Sequence, residues 1–254
     1  MIRHHPDDAL LMALAADRLA RGPAVVTAAH AERCAHCQAR LRELEVVGGA
    51  LLEAAEPAVL APEALARTLA RIDASAAAPE HAQAARGESL PAQSASVASA
   101  RERARSSAAA SIGEPARSAA EMRFLASLPA GMAWPRSLRG STPTPWRWLG
   151  PGMRWSRVTL ADDRAANVFL LRIAAGKSLP AHTHDGIELT QVLHGAFDDG
   201  RERFDAGDFD EADGSVHHQP VVEAGGECIC LASVEGRVAF DGRIARVLGA
   251  LVGM

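Results

Sequence analysis

Between Ser75 and Ala120 the chain carries only three large aliphatic side chains, Leu90, Val97 and Ile112, in a run of Ala, Ser, Arg, Glu, Gln and Pro. Such a stretch cannot bury enough apolar surface to offset the entropy lost on ordering, so it predicts a flexible linker over 75–120 between two folding units. The flanks differ in period. From Asp7 to about Asp73 the apolar spacing is helical. Leu11, Leu14 and Leu19 follow a cap at Asp7 or Asp8, and Gly22-Pro23 is expected to end that first helix. A second helix starts near Pro23, a third carries Leu41, Leu44, Val47 and Leu51, and a fourth follows Pro62 with Leu65, Leu69 and Ile72. Beyond the linker lie all four tryptophans (Trp134, Trp146, Trp148, Trp155) and short runs such as "NVFLLRI", "ELTQVLHG" and "ECICLASV", set apart by Gly, Asp or Pro. Evenly spaced short strands predict an antiparallel barrel or sandwich. The expected fold class is therefore multidomain α + β, with a small helical bundle over 1–74 and a β-barrel over 121–254. A linker this pliant would leave the bundle free to fold and bind on its own.

Net charge is -4 and no basic stripe with interleaved aromatics occurs, so direct contact with nucleic acid is not expected. Aliphatic stretches are broken by charge well short of about eighteen residues, and "MIRHHPDD" lacks the layout of a secretion signal. A cytoplasmic protein with no membrane partner is the expectation. In a reducing compartment, Cys34 with Cys37 and Cys228 with Cys230 point to metal or redox chemistry before disulfides. No nucleophile elbow, phosphate loop or dinucleotide fingerprint is present.

"HAERCAHC" sets His30, Cys34 and Cys37 on what would be one stripe of a helix. At ~1.5 Å rise per residue the outer two stand roughly 10 Å apart, near the limit of joint reach. One metal is served more easily if the helix breaks around Arg33 to His36, leaving the cysteines at the start of the next helix, where thiolates are favoured. Three ligands leave an open position, whereas a structural zinc site closes with a fourth. "RHHP" supplies His4 and His5, and His5 is taken as that fourth ligand; His36, between the cysteines, is expected to be exposed.

The second cluster is "GKSLPAHTHDGIELTQVLHG": Gly176, five residues, His182-x-His184, three residues, Glu188, six residues, Gly195. The spacing matches the first motif of the cupin family throughout, which implies a cupin barrel and a metal. Residues two apart on a strand share a side, so His182 and His184 can face one interior while Glu188 returns from the adjoining turn. Nitrogen and carboxylate donors suit Zn2+ or another divalent transition metal. The second motif is degenerate, with Asp213 and Ser215 where the family prefers Pro and Gly, and counting from Gly207 selects His218 over His217. Asp208, Asp210, Asp213 and Gly214 imitate a calcium loop, but two positions are one residue late and the closing Glu is missing. Cys228 and Cys230 share one side of a strand, as small buried residues or as a redox pair.

The first cluster and its helical frame resemble a zinc-binding anti-sigma domain, and "IRHHPDDALLMALAADRLA" is similar to the opening of the ChrR family of anti-sigma factors. The resemblance implies a closed Zn2+ site of His5, His30, Cys34 and Cys37. It also implies a cupin site of His182, His184, Glu188 and His218, an extracytoplasmic-function sigma factor as partner, and release on an oxidative signal. The alternative is an enzyme, a metal-dependent cupin oxygenase or isomerase carrying a zinc-binding helical module.

Overall fold

The computed structural model describes residues 1–77 and 118–241. The linker expected at 75–120 therefore lies outside the described residues except at its ends, and both ends are helical. The helices are α1 Asp8–Ala15, α2 Arg21–Ala31, α3 Ala35–Ala54, α4 Ala64–Ala77 and α5 Ala119–Ala126. Asp7 caps α1 by accepting the Leu10 N–H at 2.6 Å. The first helix stops earlier than expected, at Ala15, and Asp17 takes a left-handed φ of 52°. Gly22-Pro23 instead opens α2, where a missing N–H costs no helical bond. Gly22 is required there for a second reason: a Cβ would collide with Ser233 Oγ on the sheet below.

Twelve short strands follow among the described residues: β1 Thr142–Pro143, β2 Arg147–Gly150, β3 Met153–Thr159, β4 Val168–Ile173, β5 His182–His184, β6 Ile187–His194, β7 Ala196–Asp198, β8 Arg203–Asp205, β9 Phe209–Ala212, β10 Val221–Val222, β11 Cys228–Glu235 and β12 Val238–Phe240. The main sheet runs β1-β3-β4-β11-β6-β9 with β2 on β3; β10-β7-β8 and β12-β5 form two smaller ones. All pairings are antiparallel.

The central strands are buried on both faces, and alternate residues serve two different cores. Along β11, Ile229 and Leu231 join the cluster that takes in Val25, Val26 and Ala29 of α2, whereas Cys228, Cys230 and Ala232 line the barrel interior with Leu171 and Phe197. The described residues of Met1–Leu52 and Ala116–Met254 accordingly form one compact unit, and those of Glu53–Pro115 a second. The four helices of 1–74 were expected to pack as a body of their own; α2 spends its apolar face on the barrel sheet instead. Among the described residues the helices' own buried cluster is small, Leu11, Ala31, Cys34 and Cys37, with Ile2, Leu41 and Leu44 partly buried against it. Among the described residues no helix is long and apolar enough to cross a membrane.

Candidate metal centres

The helix does break, at Glu32–Cys34. His30 sits in the last turn of α2, Cys34 immediately precedes α3, and Cys37 lies in its first turn. Cys34 Sγ accepts the Cys37 N–H at 3.5 Å, so the thiol also caps the helix. His5 arrives from the extended segment before α1, its Nδ1 3.3 Å from Cys34 Sγ and 3.6 Å from Cys37 Sγ. One donor atom from each of His5, His30, Cys34 and Cys37 lies within 4.8 Å of the others. For metal bonds of about 2.0 to 2.3 Å, the S–N edge of a tetrahedron is ~3.6 Å, so one His5 distance matches it and the other is slightly shorter.

His30 is fully buried, and its Nε2 has no hydrogen-bond partner. An orphaned ring nitrogen beside two buried thiols fits a metal, because a cation supplies the missing partner. Burial, with Cys34 alongside, pushes the Cys37 thiol up to about 12, overriding the helix terminus; a bound cation would reverse that and draw out the thiolate. Burial likewise lowers His30 to about 4, so its ring is neutral. His4 stays outside the group, its ring against Phe204, and His36 is exposed.

In the barrel, β5 presents His182 and His184 on one side, and Glu188 is the second residue of β6, not part of the turn as expected. His218 is held by a two-way backbone bridge to His182, at 3.0 and 3.1 Å. The four donor atoms converge: Glu188 Oε2 is 3.7, 2.9 and 3.9 Å from Nε2 of His182, His184 and His218, and His218 Nε2 is 3.0 and 3.4 Å from those of His182 and His184. These are edges suited to one shared metal. His182 Nδ1 donates to the Pro180 carbonyl at 2.9 Å, leaving Nε2 to face the group. Burial alone would raise Glu188, but hydrogen bonds from His182 and His184 hold it well below the usual carboxylate range. His217 points away, its Nε2 3.0 Å from Asp241.

The group opens onto a largely apolar cavity lined by Leu171, Ile173, Leu179 and Val222, with Cys228 and Cys230 on its wall. Their sulfurs are 3.6 Å apart as free thiols. Asp199 and Asp210 approach His218 as a third acidic group, but Arg201 already bridges both carboxylates and occupies the place of a cation. Burial raises Asp210 to about 6.

Sequence reasoning does not reach Gln191, Asp199 or Arg201. The first was legible in hindsight as a polar residue in the middle of an apolar strand; Asp208 was noticed only as part of the calcium-like run.

A family model for the ChrR cupin-like domain matches residues 138–236. The anti-sigma-E factor ChrR of Cereibacter sphaeroides is 34% identical over 247 residues, covering 97% of this chain and 96% of that protein. The crystal structure of Rhodobacter sphaeroides SigE in complex with the anti-sigma ChrR contains a similar chain, with a TM-score of 0.58 and 32% identity over 92% of this chain and 100% of that one.

Proposed function

The chain belongs to the ChrR family, and from that membership we propose that it is a zinc-dependent anti-sigma factor: its N-terminal helices sequester an extracytoplasmic-function sigma factor, and an oxidative signal received in the barrel releases it. The observation that carries this reading on the chain itself is apolar surface left in water. Val46, Val47, Leu51 and Leu52 on α3 are 56 to 77% exposed, and Leu65 and Leu69, one turn apart on α4, are 71% and 51% exposed. Rows of large aliphatics on helices mark a protein partner. Zinc, when bound by His5, His30, Cys34 and Cys37, would supply a closed cross-link between the N-terminal segment, α2 and the start of α3.

The barrel group of His182, His184, Glu188 and His218 would hold Zn2+ or another divalent transition metal beside the Cys228–Cys230 pair. The chain is a regulator on this reading, not an enzyme, and it works in the cytoplasm, where sigma factors meet RNA polymerase. The test is transcription in vitro from a promoter of the cognate sigma factor. The full chain should suppress it; Leu65→Glu with Leu69→Glu should weaken sigma binding at least tenfold while zinc content and helicity stay unchanged. His182→Ala with His184→Ala should still inhibit but no longer respond to an organic hydroperoxide. Unimpaired transcription in the presence of the parent chain would sink the proposal and return the cupin-enzyme reading; a normal response by the double histidine variant would remove the sensing role from the barrel.

A further inference from the structure

The two metal groups lie on opposite faces of one strand. Along β6, Glu188 and Thr190 line the barrel cavity, while Gln191 turns to the other side and meets α2. Gln191 is fully buried. Its Nε2 donates to the Val192 carbonyl at 2.9 Å, which fixes the amide so that Oε1 faces His30 Nδ1, also at 2.9 Å. An amide oxygen only accepts, so the ring proton of His30 must sit on Nδ1. That leaves Nε2, the orphaned atom, with its lone pair directed at His5, Cys34 and Cys37. The other histidine is positioned from the barrel as well: Asp208, just before β9, accepts the Arg3 and His4 N–H groups at 2.6 and 3.1 Å, and the Phe209 N–H donates to the His4 carbonyl at 3.1 Å. β6 and β9 are paired, with Gln191 opposite Phe209.

We propose that Gln191 is a positioning residue for the His/Cys metal site, selecting the His30 tautomer that can ligate, and that the barrel is thereby a structural part of that site. The proposal rests on the zinc reading above. A hydrogen-bond acceptor behind a ligating histidine typically accounts for 10- to 100-fold in metal affinity, and here that acceptor belongs to the strand that also carries Glu188. A change in the barrel group thus has a short route to the helical site: three residues along β6 from Glu188 to Gln191, then the hydrogen bond from His30 Nδ1–H to Gln191 Oε1.

Cobalt(II) titrated into the full chain carrying Cys228→Ala and Cys230→Ala, taken as the parent for this test, is the probe, because with the two thiols on the barrel cavity removed its thiolate charge-transfer band reports the His/Cys group alone. Gln191→Met, apolar and of similar size, should lower cobalt affinity roughly 10- to 100-fold and alter the band. Independently of any variant, nitrogen-15 NMR of the metal-free parent should find His30 as the Nδ1–H tautomer. Unchanged affinity and band in Gln191→Met, or an Nε2–H tautomer in the parent, would overturn the assignment. Absence of the thiolate band in the parent would overturn the zinc reading itself, and this inference with it.

Discussion

Val26 of α2 tests whether the helices depend on the barrel. It is wholly buried among Val25, Ala29 and the sheet residues Leu170, Leu189 and Leu231. Val26→Ala removes two methyl groups, worth about 1.6 kcal/mol in transfer free energy. A cavity term of roughly 24 cal/mol per Å3 over the vacated space adds up to about 1 kcal/mol if the neighbours fail to relax. The expected loss is therefore about 2 kcal/mol, and a Tm drop of roughly 4–8 °C for a unit of this size. The assay is tryptophan fluorescence, since residues 1–77 contain no tryptophan and Trp155, 5% exposed on β3, lies in the barrel. Zinc is kept saturating throughout, so that metal binding adds the same increment to both proteins. A change in α2 should thus move a transition reported wholly by tryptophans outside residues 1–77. If the tryptophan-reported midpoint stays put while helicity melts early, α2 and the barrel unfold separately and the single-unit account is wrong.

Arg201→Met should cost about 3 kcal/mol in a urea titration, because it leaves Asp199 and Asp210 buried without their cation. That loss should shrink as pH falls toward about 6: Arg201 holds Asp210 down in the parent, so in the variant Asp210 takes up its proton at higher pH, before the parent's carboxyl, raised by burial to about 6, does the same. The metal-free parent should weaken as pH falls: His30 and His218, lowered to about 4 by burial, stay neutral when folded but charge in the unfolded chain from about 6.5 downward, and His182, raised by Glu188, opposes them in part. A flat denaturation midpoint between about pH 7 and about pH 5 would remove that linkage. Cys34→Ala and His5→Ala should each abolish tight zinc retention by the helical group in metal analysis, whereas His4→Ala, which touches Arg203 and Glu202, should leave it intact.

The strand-rich half was legible because "NVFLLRI", "ELTQVLHG" and "ECICLASV" are short, apolar and bounded by turn residues. What those runs withheld is that both faces are covered. A strand buried on one face alternates with polar residues; β4, β6 and β11 do not, and nothing in the run names the cover. Two polar residues were the trace of it: Gln191 and Ser233 are fully buried, and each faces α2. Gly22-Pro23 reads equally as a stop or a start, because Pro suits the position after a helix as well as the first turn of the next, and only the sheet beneath decides. The ligand sets were visible because His-x-His and Cys-x2-Cys spacing reflects local backbone period. Their supporting partners were not, since Asp208 and Gln191 lie far along the chain from the segments they hold.

That separation has a consequence in time. The bond from the Arg3 N–H to Asp208 closes a gap of 205 residues. At about 5–20 residues per second, a ribosome takes roughly 10–40 s to make the second partner after the first. During that interval the cysteine pair can already meet metal, but His5 hangs from an unanchored segment and Gln191 does not yet stand behind His30. On the zinc reading and the positioning role proposed for Gln191, a nascent chain is a poorer trap for zinc than a finished one, and a product truncated before the barrel stays that way however long it waits.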